Sequence, residues 1–182
     1  MQRGDHEDRA LLTLDLYLTH SVWLAGDGRA TLVDEAASRL VEGGAFEWME
    51  VELRRLGPTI AAYDAQEGLS SRFAVRLRDD LVATVYASAL VPWCLVSLFH
   101  WVAGDPDENR QFLSVQTVSE HVSHAAQLVL LLSGWGFYLA SEAQCKRPTG
   151  LPSGNGDDEL TYYELLFEFG GFSEPPWAWR RA

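Results

Sequence analysis

The sequence predicts a single α+β domain over residues 1–182, a mainly antiparallel sheet with helices packed on one face. Two sets of observations carry that prediction. Residues 46–54, 72–78 and 81–90 alternate in polarity or run in β-branched and aromatic side chains, as strands do. Residues 32–42, 93–103 and 118–133 instead repeat apolar side chains at helical spacing. Length agrees with one domain, since 182 residues suffice to bury about 70% of the unfolded surface. A hydrophobic content of 47% and an aromatic content of 12% are those of a globular chain.

Residues 1–9 read as a solvated, flexible tail. Leu11 to Tyr17 alternates, with Leu12, Leu14 and Leu16 on one face, and predicts a strand. Thr31 is a fair N-cap for a helix over 32–42, and Gly43-Gly44 ends it. From Phe46 to Arg54, Met49, Val51 and Leu53 oppose Trp48, Glu50, Glu52 and Arg54, which predicts a half-buried strand showing acid to water. Gly57 to Ser71 reads as loop, with one helical turn around Ile60 to Ala65. Phe73, Val75 and Leu77 then oppose Arg72, Arg76 and Arg78, and Asp79-Asp80 turns the chain into the next strand.

Leu81 to Val102 contains no Asp, Glu, Lys or Arg, and a span of about 20 such residues is long enough to cross a bilayer. A membrane span is nevertheless not expected. Asp79, Asp80, Asp105 and Asp107 flank the run, and Pro92 divides it into pieces of different character. A buried strand over 81–90 that turns into a buried helix over 93–103 fits both halves. Asp105-Pro106 looks like another helix start, and Thr117 with Glu120 has the spacing of a capping box before the helix 118–133. Gly134 stands where a C′ glycine belongs, and Gly136 to Ala140 is extended or a helix tail. Residues 148–158, rich in Gly, Pro, Ser and Asn, predict a mobile loop. A last strand over 160–169 would place Tyr162, Glu164 and Glu168 opposite Tyr163, Leu165 and Phe167.

Charge narrows the function classes. A net charge of −12 disfavours nucleic acid and anionic lipid as partners, because phosphates demand the opposite sign. Between Pro148 and Trp179 there is no Lys or Arg, yet Asp157, Asp158, Glu159, Glu164, Glu168 and Glu174 occur there. That region suits a basic protein partner. The N-terminus shows no signal-peptide pattern and Cys94 and Cys145 make no disulfide framework, so a reducing, cytoplasmic setting is expected.

No motif for a cofactor or catalytic centre stands out, and none is expected. His121 and His124 lie three apart beside Glu120 but lack a third ligand of recognisable spacing, so no metal is expected there. His100 reads as a core histidine and Cys94 as a small buried hydrophobe. A Cys–His pair assembled only by folding stays open. Glu47, Glu50 and Glu52 fit a solvated strand face better than paired acid–base carboxylates. Glycines 134 and 136, or 154 and 156, lack the context of a dinucleotide loop. Trp177 and Trp179, after Pro175-Pro176, either pack on the core or anchor a partner.

The succession of a helix, Gly134-Trp135-Gly136-Phe137, Glu142, Pro148, a Gly-rich loop and Tyr162-Tyr163-Glu164-Leu165-Leu166-Phe167-Glu168 resembles the C-terminal third of small acidic immunity proteins. Those are encoded beside bacterial polymorphic toxins. The opening Leu12-Thr13-Leu14-Asp15-Leu16 strand is similar to theirs as well. The resemblance implies an intracellular, non-enzymatic inhibitor that binds one basic toxin, and the acidic surface would steer that encounter. The expected partner face is Asp157, Asp158, Glu159, Tyr162, Glu164, Glu168, Trp177 and Trp179. A regulatory or scaffold module and a small enzyme with a fold-assembled site are the other classes the residues admit.

Overall fold

A computed structural model describes residues 46–57, 59–63, 70–78, 80–101, 110–114, 123–152 and 159–167. The expected strand 11–17, the helix 32–42, the helix start at Asp105 and the capping box at Thr117 lie outside them, as do the tail 1–9 and residues 168–182. The described chain begins with helix α1 (Glu47–Leu53), followed by five strands: β1 (Thr59–Tyr63), β2 (Ser70–Arg78), β3 (Leu81–Ser88), β4 (Trp93–Trp101) and β5 (Arg110–Ser114). Helix α2 (Ser123–Gly134) leads to β6 (Tyr138–Leu139) and the single turn α3 (Glu142–Cys145). Strands β7 (Pro148–Pro152) and β8 (Glu159–Thr161) precede α4 (Tyr162–Leu166).

The main sheet runs β1-β2-β3-β4-β5, each pair antiparallel, and β6 adds a parallel pairing to β4 through Trp93 with Tyr138 and Cys94 with Leu139. β7 and β8 form a separate antiparallel pair. An α+β architecture with a mainly antiparallel sheet is therefore what the chain adopts.

Register divides the core in two. Val85 faces Val96 and Ala83 faces Leu98, so these side chains share one face of the sheet. With Phe73, Val75, Leu77, Leu81 and Cys94 they pack against Met49 and Leu53 of α1 and Ala125, Leu128 and Leu132 of α2. Tyr86 faces Leu95 on the opposite face. There, with Trp93, they join Tyr138, Ala140, Cys145, Tyr163, Leu165, Leu166 and Phe167. The two longest described helices thus cover one face, and the short C-terminal elements cap part of the other.

The hairpin β2–β3 forms as the alternation predicts, with Arg78 reaching Asp80 at 2.6 Å across the turn. β3 is buried almost throughout. Beyond Pro92 the expectation fails: residues 93–103 are not a helix but begin with strand β4. Trp93 to Phe99 are all buried, because β3 occupies one edge, β5 and β6 the other, and both faces are covered. A strand buried on both faces shows no alternation and mimics a buried helix. Pro92 sits exposed in the connection, where no ladder donor is needed. No helix among the described residues is long and apolar enough to cross a membrane.

Residues 46–54 are likewise not a strand. Their buried side chains are Met49 and Leu53, four apart, while Val51 is 57% exposed. Glu50 pairs with Arg54 and Glu52 with Arg55, each at 2.5 Å, at helical i,i+4 and i,i+3 spacing. Glu47 and Glu50 in the first turn suit the positive end of the helix dipole. The loop expected over 57–71 contains β1, which pairs with β2 from Thr59 to Tyr63. The loop expected over 148–158 begins with β7, paired with β8; residues 153–158 lie outside the described chain.

Helix α2 bears out the helix expected over 118–133, of which residues 118–122 are outside the described chain. It ends one step later than the sequence suggests. Gly134 is its last residue, and Gly136 takes the positive φ of +87°. Gly136 N–H donates to Ser133 O at 3.0 Å and Phe137 N–H to Leu132 O at 3.1 Å, a Schellman end whose C′ residue is Gly136. The chain is then extended into β6, the first of the two alternatives expected for 136–140.

Candidate functional site

The strand expected over 160–169 is only β8, three residues long, before the chain turns into α4. The cause is local. Thr161 has extended backbone and its Oγ1 accepts from Glu164 N–H at 3.3 Å. Glu164 Oε2 in return accepts from Thr161 N–H at 2.7 Å and from Thr161 Oγ1 at 2.8 Å. This reciprocal capping box starts the helix. Ser141 and Gln144 make the same box at α3. Both are readable as Ser/Thr-x-x-Glu/Gln, and the alternation of Tyr162 to Phe169 hides the one at Thr161.

The geometry sorts the expected partner face. Glu159 is exposed at the start of β8. Glu164 is half-buried and its carboxylate serves the cap. Tyr162 is half-buried too, its ring stacked on Trp93 with centroids 6.1 Å apart and 23° between planes. Since these residues are helical, Tyr162 and Glu164 do not share a strand face. Asp157, Asp158, Glu168, Trp177 and Trp179 lie outside the described residues.

The footing under Glu159 is well tied. Thr149 Oγ1 donates to Leu160 O at 2.8 Å, and Tyr162 N–H donates to Arg147 O at 3.0 Å. Leu160 is buried beneath. Beyond α4, Ser70 Oγ donates to Phe167 O at 2.8 Å, a buried link between residues 97 apart in sequence. Glu159 thus meets the core through a braced pair of strands.

Among the described residues no group of three or more His, Cys, Asp or Glu could hold a metal ion. His124 is exposed on α2, and His121 and Glu120 lie outside the described residues. His100 lies on β4, its backbone paired with Leu81 and Gln111. Glu50 and Glu52 are bound to arginines rather than to each other.

Both cysteines are buried and reduced. Burial, then the nearby Glu142, pushes the Cys145 thiol up to about 12. Burial, then Cys145, pushes Cys94 far above the ordinary thiol range. Neither is a thiolate nucleophile near neutral pH. A raised folded-state pKa stabilises the fold below the unfolded thiol's value of about 8.5, and that contribution is lost as pH climbs towards the folded value. Unfolding free energy should therefore fall above about pH 9 by about 1.4 kcal/mol per thiol per pH unit. Urea midpoints at pH 8 and pH 10 measure the fall, and the double variant Cys94→Ala, Cys145→Ala should flatten it. Equal slopes in variant and wild type would remove the thiols as its cause.

One surface feature escaped the sequence. Trp48 of α1 and Trp135, just past α2, meet edge to face at 4.8 Å and 81°. The alternation puts Trp48 on the solvent face and it is 45% exposed, but only the helix brings it to Trp135. The chain matches no protein-family model, no curated protein and no solved structure.

Proposed function

We propose that the protein is a non-enzymatic, cytoplasmic inhibitor of the immunity type, which blocks a basic bacterial toxin by binding it directly. The observation that carries this is the exposed Glu159 on the braced β7–β8 pair, in sequence continuity with Asp157 and Asp158 in a Lys/Arg-free region. A net charge of −12 adds long-range attraction for a basic surface. Three consecutive carboxylates repel one another and gain from cationic partners, although pairs at an interface rim contribute little unless desolvated. The resemblance of the C-terminal third to immunity proteins supports the same class.

The test begins with affinity capture from the producing bacterium, mass spectrometry of the partner, and titration of that partner's activity. Inhibition saturating at one inhibitor per toxin is the expected result. The triple variant Asp157→Ser, Asp158→Ser, Glu159→Ser should associate about tenfold more slowly at low salt and show a flatter salt dependence, with its fold unchanged. A captured partner whose activity is untouched would defeat the inhibitor role. Unchanged association of the variant would leave this acidic stretch as solvated surface.

A further inference from the structure

The outer side of α1 carries apolar surface that the core does not use. Trp48 is 45% exposed and Val51, three residues on, is 57% exposed; residues at that spacing are neighbours on a helix. Trp135 closes against Trp48 at nearly a right angle, so two indoles form a corner beside Val51. Covering such side chains is favourable, and interfaces concentrate tryptophan at their anchoring positions. The charges around the corner are unequal. Arg54 and Arg55 neutralise Glu50 and Glu52, whereas Glu47, one turn before Val51, is exposed and makes no ion pair among the described residues.

We propose that the Trp48–Trp135 corner, with Val51 and Glu47, receives an arginine side chain from a segment of a basic protein partner. This rests on the inhibitor function proposed above and supplies its apolar anchor. A guanidinium stacks on an indole face, is weakly hydrated, and pairs with a carboxylate at the rim. Charge also selects the occupant. A second copy of this chain would bring −12 against −12, whereas a basic segment is drawn to the same surface.

The probe is a blocked hexa-arginine peptide, titrated into the full chain labelled with 5-fluorotryptophan. The seven tryptophan lines are assigned by single Trp→Phe replacements. The lines of Trp48 and Trp135 should shift saturably, and less with hexa-lysine. Glu47→Gln should weaken the binding that these lines report about two- to fivefold. Val51→Lys, which leaves both indoles and the core in place, should weaken it about fivefold or more at low salt. Shifts confined to other tryptophans, no shift at all, or full affinity in both variants would overturn the corner as the site. None of those outcomes touches toxin inhibition, which is read from the captured partner's activity, so the two proposals fail separately.

Discussion

Phe167→Ala is expected to destabilise the protein by about 3–5 kcal/mol, the range for truncating a fully buried aromatic side chain. Phe167 has no exposed surface and is the largest fully buried side chain among the described residues. It ends α4, its N–H donating to Tyr163 O at 2.9 Å, and its ring lies 6.3 Å from that of Tyr163. Its carbonyl accepts a hydrogen bond from Ser70 Oγ of β2 at 2.8 Å, on the same face of the sheet as Tyr86. Truncation leaves a cavity that this cluster cannot readily fill, because the backbone on both sides is hydrogen-bonded in place. Domains of this kind have about 5–15 kcal/mol in total, so the loss is a large share of it. Urea unfolding of wild type, Phe167→Leu and Phe167→Ala gives the measurement, with the leucine variant keeping most of the stability. A shift under about 1 kcal/mol for the alanine variant would mean that the second cluster is not a packed core.

Gly57→Ala is the second large effect, at about 3 kcal/mol, the upper end of what overpacking usually does. An ideal Cβ on Gly57 would stand 1.9 Å from Arg76 O and 3.0 Å from Arg76 C. Both atoms are backbone of β2, so no side-chain rotation relieves the clash. The whole passage from α1 to β1 would have to move off the sheet, just where the β2–β3 register already shifts between Arg76 and Arg78. Gly134→Ala is the matched control: nothing lies within 4 Å of its new Cβ, and a helical alanine gains about 0.5–1 kcal/mol over glycine. Thermal unfolding of the two variants should move in opposite directions. If Gly57→Ala melts with the wild type, the approach of the two backbones is looser than 1.9 Å implies.

What was legible in the sequence follows from how each element meets water. β2 reads cleanly because Phe73, Val75 and Leu77 are buried while Arg76 and Arg78 are exposed. β4 does not, because its buried residues on both faces erase the period of two. In α1 the sequence Met49-Glu50-Val51-Glu52-Leu53 satisfies a strand and a helix equally. Only the exposure of Val51 and the ion pairs of Glu50 and Glu52 distinguish them. The candidate site divides the same way. Glu159 is exposed as its charge suggested, but Tyr162 and Glu164 are turned to stacking and capping by a box at Thr161 that outweighs the local alternation. The Trp48–Trp135 corner joins residues far apart in the chain, and no local pattern encodes such a meeting.

The bond from Ser70 to Phe167 also bears on how the molecule is made. β2, β3 and β4 leave the ribosome long before residues 160–167, which close the cluster around Tyr86, Trp93 and Leu95. A ribosome adding about 5–20 residues per second exposes that half-finished surface for several seconds. Contacts of such sequence separation also form late, since closing a long loop must precede any gain from it. Helix α4 is therefore the keystone of folding as well as the neighbour of the acidic stretch. A nascent chain that stalls short of it carries a sheet with one sticky side, a substrate for chaperones rather than a smaller version of the same protein.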